Sequence, residues 1–248
     1  MCFSLKKIQF LNLLLLIFTG EKMEVNSLLV EENDDLQDLF SKYGALALEK
    51  QGILSSIVGD AEPELDIEKG IVRFDEKEFP IQLIGFLDPD EDAWFWAWDN
   101  DEIGFPEDLI EEAKAVKEFG EQQNIPQFYE NVFTANLTEA HILNMTISSL
   151  FENDAYCAVN YGSFVFFVTI ESDEIELSDD IDVFANVIND FHRKFEVNHL
   201  KALRGYAEIK GYEYKYRDEF CIVKVGDDRI VVTLTERKNI YTIKIIRA

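Results

Sequence analysis

Phe79–Asn100 reads FPIQLIGFLDPDEDAWFWAWDN, in which two apolar runs flank an acidic segment. That segment, Asp88–Asp92, combines proline with carboxylates and is typical of a hairpin loop. Trp94, Trp96 and Trp98 alternate with other residues in the second run. Because successive side chains of a strand point to opposite faces, the spacing predicts all the indoles on one face. The sequence therefore predicts a hairpin that carries a tryptophan face.

The tryptophan face has three interpretations, which the sequence leaves open. Aromatic side chains at strand spacing commonly pack against a helix, which would make the face part of the core. Exposed indoles with an acidic rim would instead form a groove for a peptide or protein. A small-molecule pocket, oriented by neighbouring polar groups, is the third interpretation. The candidate binding residues are Gln82, Trp94, Trp96, Trp98, Asp99 and Asn100.

A long amphipathic helix is predicted before the hairpin. Apolar residues recur at helical spacing from Leu36 to about Val58, and Asp34 or Asp35 is the candidate N-cap. Two short strands, 64–67 and 70–74, follow with a turn signal between them. With the hairpin they predict a four-stranded antiparallel meander, and the first helix is expected to cover its apolar face.

The remaining pattern predicts an α+β protein with a C-terminal extension of one helix and several strands. Pro106 is placed in the first turn of a helix that ends at Gly120, and residues 124–136 are expected to be an irregular connector. The continuously apolar run Phe164–Val168 predicts a central strand covered on both faces. Further helices are predicted over 138–150, 181–195 and 198–210, and strands over 155–160, 164–170, 212–216, 220–225, 229–235 and 240–246.

The hairpin also carries a family resemblance. Gln82-Leu83-Ile84-Gly85 followed by Trp94–Asn100 resembles the Gln-x-Leu-Gly and Trp-x-Trp-x-Trp-x-Asn signature of an uncharacterised bacterial family of DUF6882 type. The segments 45–51, 68–70 and 118–120 are similar to that family as well, so the resemblance runs from about Leu36 to Ile170. Phe86 and Asp99 depart from the pattern. The resemblance implies a fold, and it brings no known activity, substrate or catalytic residue.

The charge of the chain restricts its ligands. It has 49 acidic and 23 basic residues, a net charge of −26. Affinity for nucleic acid comes largely from Lys and Arg at phosphates, so nucleic acid is not an expected partner. A basic protein or peptide is the favoured partner, and the alternative is that the charge only maintains solubility. Residues 24–196 carry −32, whereas residues 197–248, with eleven basic and seven acidic residues, carry +4.

Three segments follow from composition and charge: an apolar leader (1–22), an acidic α+β domain (23–196) and a basic extension (197–248). The extension is a small second domain or an extra layer docked electrostatically.

The leader resembles a signal-peptide core but lacks an Ala-x-Ala site, so we expect translation from Met23 and a cytoplasmic protein. A genuine signal peptide, with export or membrane association, is the alternative. Three cysteines without metal or redox spacing agree with a reducing compartment.

No motif for catalysis or cofactor binding is present in the sequence. His141, His192 and His199 lack metal-site spacing, and the acidic loop begins like a calcium loop but has Ala93 at the glycine position. No metal and no cofactor is expected.

The predicted function is a non-catalytic binding or interaction protein, for example an acidic inhibitor of a basic partner, as bacterial immunity proteins are. The alternative is an enzyme or small-molecule-binding protein with a pocket at Trp94–Asn100. The oligomeric state is not predicted.

Overall fold

The computed structural model describes residues 29–99 and 103–248, which form an α+β fold. The predicted leader and Asn100 lie outside these described residues. The helices are α1 (Leu36–Val58), α2 (Glu111–Gln123), α3 (Pro126–Tyr129), α4 (Leu137–Leu150), α5 (Ile181–Lys194) and α6 (His199–Ile209). The strands are β1 (Pro63–Asp66), β2 (Ile71–Phe74), β3 (Lys77–Asp88), β4 (Ala93–Trp96), β5 (Val132–Thr134), β6 (Ala155–Tyr161), β7 (Phe164–Ile170), β8 (Glu213–Arg217), β9 (Phe220–Val225), β10 (Asp228–Leu234) and β11 (Ile240–Ile246).

The larger sheet is organised around β3. The first residues of this twelve-residue strand pair with β2, and its second half lies between β4 and β7. All pairings are antiparallel, and β1-β2-β3-β4 follow one another in the sheet, which confirms the predicted meander. Strand β7 pairs with both β3 and β6, so its apolar run is central as predicted.

The predicted tryptophan strand is shorter than expected. Pairing with β3 ends at Trp96, and pairing with β5 ends at Phe95. Beyond these residues no neighbouring strand in the described part of the chain pairs with the backbone, and Ala97–Asp99 form a 3-10 helix. Trp98 therefore does not continue the alternation of Trp94 and Trp96, and the prediction that one strand carries all these indoles is wrong.

The first helix does not cover the meander in the expected way. Helix α1 begins after the predicted N-cap, Asp35, and packs chiefly against α4 and α6. The helices that lie against β3 are α2 and α4, both later in the chain. Hydrophobic periodicity shows that a helix has an apolar face but does not identify the element that the face contacts.

Two predicted boundaries are wrong. Helix α2 continues past Gly120 and ends at Asn124, which adopts the left-handed conformation with φ 57°. Gly120 instead allows close packing, because a Cβ there would lie 2.4 Å from the Cβ of Phe128. The expected irregular connector contains α3 and the edge strand β5.

The C-terminal segment forms a second layer over α1. Strands β8–β11 make a four-stranded antiparallel sheet in the order β11-β10-β9-β8, and its inner face packs against α5 and α6. Helix α6 approaches α1 closely, since a Cβ on Gly205 would lie 2.4 Å from the carbonyl oxygen of Lys42. Buried residues of this sheet, among them Val223 and Ile230, belong to the same hydrophobic core as Trp94 and Trp96.

Candidate functional site

Trp94 and Trp96 lie in the core beneath the helices. Both are 0% exposed, and their rings meet edge to face at 5.5 Å between centroids. Trp94 also contacts Phe167 on β7, with 5.4 Å between ring centroids. A ligand could reach these two indoles only if the surrounding helices moved, so neither lines an open pocket in this conformation.

Trp98 and Asp99 lie at the surface end of the same segment. The Trp98 ring stacks on Trp96, with 6.1 Å between centroids, and the ammonium of Lys117 lies over the Trp98 ring, 4.1 Å from its centroid. A lysine over an indole is a cation–π contact, which holds the α2 helix against this turn. Asp99 is exposed. Of the predicted binding residues that the structure describes, Asp99 is exposed, and Trp98 and Gln82 are partly exposed.

Gln82 anchors a helix. Its side-chain oxygen accepts a hydrogen bond from the backbone N–H of Glu112 at 3.1 Å, and its amide nitrogen donates to the carbonyl of Asp108 at 2.8 Å. Free N–H groups at a helix start need such an acceptor. Gln82 therefore ties β3 to the beginning of α2, and both ends of its amide are occupied.

Glu112, whose backbone N–H binds Gln82, is the centre of a buried polar cluster. The Glu112 carboxyl accepts hydrogen bonds from Asn153 Nδ2 at 2.7 Å and from Thr169 Oγ1 at 2.8 Å. Burial raises the pKa of this carboxyl to about 8, although both hydrogen bonds oppose the rise. Lys50 donates to the carbonyl of Asn153 at 2.5 Å, and burial lowers the pKa of its ammonium. The sequence analysis did not identify this cluster.

A surface cleft opens where α1 ends and β1 begins. Its volume is about 490 Å³, and we call it the acidic cleft because four of the residues that line it are carboxylates. The lining residues are Val58, Asp60, Ala61, Glu62, Glu64 and Asp75. A neighbouring depression of about 320 Å³ shares Glu64 and adds Asp66, Glu68 and the basic residue Arg73. Arg73 is bound to Glu78, with Nη2 2.7 Å from that carboxylate, and its Nη1 lies 3.8 Å from Glu64, so Arg73 is shared between these two carboxylates.

The end of α1 reinforces the negative charge of the acidic cleft. The carbonyl end of a helix carries a partial negative charge, and lysine or arginine commonly occupies its last turn. The last turn of α1 has no basic residue. The chain closes the helix with Gly59 at φ 60° and continues directly into Asp60 and Glu62. The negative end of the helix therefore faces carboxylates, an unfavourable arrangement that a bound cation would relieve.

The histidines and carboxylates form no metal site in the part of the chain that the structure describes. No group of three or more His, Cys, Asp or Glu residues there has the arrangement to hold an ion. His192 and His199 do come together, with ring centroids 4.9 Å apart, but His199 Nδ1 accepts a hydrogen bond from the N–H of Ile240. No helix within residues 29–99 and 103–248 has both the length and the apolar character needed to cross a membrane.

Comparison with known proteins gives one match. A family model described as a family of unknown function (DUF6882) matches residues 37–172. The matched region begins at the start of α1 and ends just after β7, so it contains the acidic cleft, Glu112 and the tryptophan segment. Helices α5 and α6 and the second sheet lie outside it. No curated protein and no solved structure matches the chain.

Proposed function

This chain belongs to DUF6882, a family of unknown function, and we propose that it is a non-catalytic binding protein whose partner is a basic protein or peptide. One observation carries this proposal: the acidic cleft lies at the negative end of α1 and is lined by Asp60, Glu62, Glu64 and Asp75, with no basic residue among the described residues of its lining. The neighbouring cation, Arg73, lies 3.8 Å from Glu64 and is shared with Glu78. Like charges held together on a fold reduce its stability, and they are balanced when an oppositely charged partner binds.

The shape and charge of the cleft define the chemistry of the partner. A volume of about 490 Å³ accommodates one or two long side chains. A lysine or arginine that enters from a partner would place its cation among the carboxylates and against the carbonyl end of α1. The charge of −32 on residues 24–196 would steer a basic protein toward this face and accelerate its association. An inhibitor that masks a basic surface, of the kind immunity proteins provide, is the concrete form of this function.

The test compares two variants of equal net charge. Asp60→Asn/Glu64→Gln/Asp75→Asn removes three of the four negative charges of the acidic cleft, and Asp90→Asn/Glu91→Gln/Glu121→Gln removes the same charge at exposed positions elsewhere. Binding of a fluorescent oligolysine peptide is measured by anisotropy at about 50 mM and about 300 mM salt. We expect the cleft variant to lose about tenfold or more in affinity at low salt and the control variant to lose about twofold or less. Equal losses would show that only net charge matters and would contradict the proposal.

The alternative function, an enzyme or small-molecule-binding protein with its pocket at Trp94–Asn100, stays a prediction. In its support, Asp99 is exposed and Trp98 is only partly buried at the surface. Against it, Trp94 and Trp96 are fully buried and Gln82 is engaged with α2. The cytoplasmic location and the exclusion of nucleic acid and cofactors likewise stay predictions.

A further inference from the structure

The outward face of the C-terminal sheet differs in charge from the rest of the surface. Along β9 and β10, Cys221, Val223, Val225, Ile230 and Val232 point inward to the core. Because side chains alternate along a strand, the residues between them point outward. The strand register brings the outward residues into three cross-strand rows. These rows are Glu213-Lys224-Arg229-Ile246, Lys215-Ile222-Val231-Lys244 and Arg217-Phe220-Thr233-Thr242.

Five of these twelve residues are basic and one is acidic, and we call this surface the basic face. The basic residues are Lys215, Arg217, Lys224, Arg229 and Lys244, all exposed. Arg217 lies 3.6 Å from Asp218, itself highly exposed. The other four form no ion pair with any residue in the described part of the chain. The charges of the basic face are therefore available to a partner.

Apolar side chains lie between these charges. Phe220 is 50% exposed, Ile222 38% and Ile246 53%. Ile222 has Lys215 as its cross-strand neighbour on one side and Val231 on the other. Exposed apolar side chains surrounded by charge are typical of interaction surfaces. An occupant of this face must therefore offer both negative charge and apolar contact.

We propose that the basic face binds a short acidic polypeptide segment with apolar side chains among its carboxylates. Neighbouring strands are about 4.8 Å apart, and same-face residues on one strand are about 6.6 Å apart, so the face spans roughly 14 by 13 Å. That length fits about five extended residues, which places the contact among small, transient interfaces. The site is separate from the acidic cleft and does not depend on the function proposed for it.

The same observations disfavour nucleic acid as the occupant. Sheets that bind single-stranded RNA stack successive bases on several aromatic side chains, whereas the basic face has Phe220 as its single aromatic residue. A long polyanion would also extend beyond the face onto a body that carries −32. A short peptide avoids that repulsion because its charges end where the face ends.

The test uses the full chain and a labelled peptide that alternates Asp or Glu with Ile or Phe. Lys215→Glu/Lys224→Glu/Lys244→Glu reverses the basic face, and Lys77→Glu/Lys114→Glu/Lys194→Glu makes the same change in net charge on other surfaces. We expect binding at about 50 mM salt that weakens about tenfold or more in the face variant and about threefold or less in the control. A version of the peptide with Asn and Gln in place of the acids should bind none of the three proteins, the wild-type chain, the face variant or the control variant.

Three kinds of result would overturn this proposal. The first is failure of the binding test itself, either no peptide binding to the wild-type chain at low salt or equal losses in the two variants. The second is tighter binding of a single-stranded oligonucleotide of similar length, which would make the face a nucleic-acid site. The third is salt-sensitive self-association that the face variant abolishes, which would make a second copy of the chain the occupant.

Discussion

Glu112 makes the stability of this fold depend on pH. Its carboxyl is buried, and its pKa rises from an ordinary value of 4.5 to about 8 because burial disfavours the ionised form. The folded chain therefore keeps a proton that the unfolded chain releases. The stabilisation from this group is complete below about pH 4.5 and is lost as the pH rises through about 8.

Glu112→Gln should remove this dependence, because an amide stays neutral and keeps an acceptor for Asn153. A difference of one bound proton changes the free energy of unfolding by about 1.4 kcal/mol per pH unit. Between pH 5 and 8, the wild-type chain should lose stability relative to the variant at up to about that rate. Urea unfolding at several pH values measures the difference.

The matched control for Glu112 is Glu118→Gln, on an exposed position of the same helix. Its unfolding free energy should follow the wild-type pH profile. Parallel profiles for wild type and Glu112→Gln would show that Glu112 does not hold a proton in the folded state.

Single residues show where prediction from sequence succeeded and failed. Alternation correctly placed Trp94 and Trp96 on one face, because a strand has only two faces. The role of Gln82 was not predictable, because it depends on α2, which begins 29 residues later and returns to β3. Glu112 resembles any other acidic residue in the first turn of a helix until the fold buries it.

The contact between α1 and α6 includes a buried ion pair. Lys210 Nζ lies 3.2 Å from the Glu49 carboxylate, and these side chains are 3% and 2% exposed. Tyr206 and the N–H of Ser178 also donate to Glu49, at 2.6 and 3.1 Å. Removing one member of such a pair leaves a buried charge without its partner. The pair therefore links the basic extension to the acidic domain through the interior of the molecule.

Lys210→Met should cost about 3–5 kcal/mol of unfolding free energy, because Glu49 then stays buried without its cation. Glu49→Gln combined with Lys210→Met should cost less than the sum of the two single variants, because no uncompensated charge remains. Chemical denaturation of the wild-type chain, the two single variants and the double variant gives the unfolding free energies for this double-mutant cycle. Additive losses would show that the two charges do not interact.

Elements were predicted more accurately than their contacts. The bounds of α1, α4 and β7 follow from caps and apolar runs that are local in the sequence. The packing of α1 against α4 and α6 depends on contacts between distant segments. The acidic cleft is an intermediate case: the end of α1 at Gly59, followed by Asp60 and Glu62, is visible in the sequence. Asp75 joins them only when β2 folds back beside β1.

The whole molecule carries two surfaces of opposite sign. The acidic cleft lies at the end of α1, and the basic face lies on the outer side of the C-terminal sheet. Exposed charges that lie farther apart than the Debye length, about 10 Å at 0.1 M salt, are largely screened from one another. A chain of net charge −26 can therefore present a cationic surface locally.

The most direct test of the account maps the amide chemical shifts of the full chain during titration with the oligolysine peptide. If the acidic cleft is the binding site, the shifts at low salt should concentrate on residues 58–68 and around Asp75, and the Asp60→Asn/Glu64→Gln/Asp75→Asn variant should lose them. Shifts spread evenly over the acidic surface, or centred on Trp98 and Asp99, would contradict the claim that this cleft binds the partner.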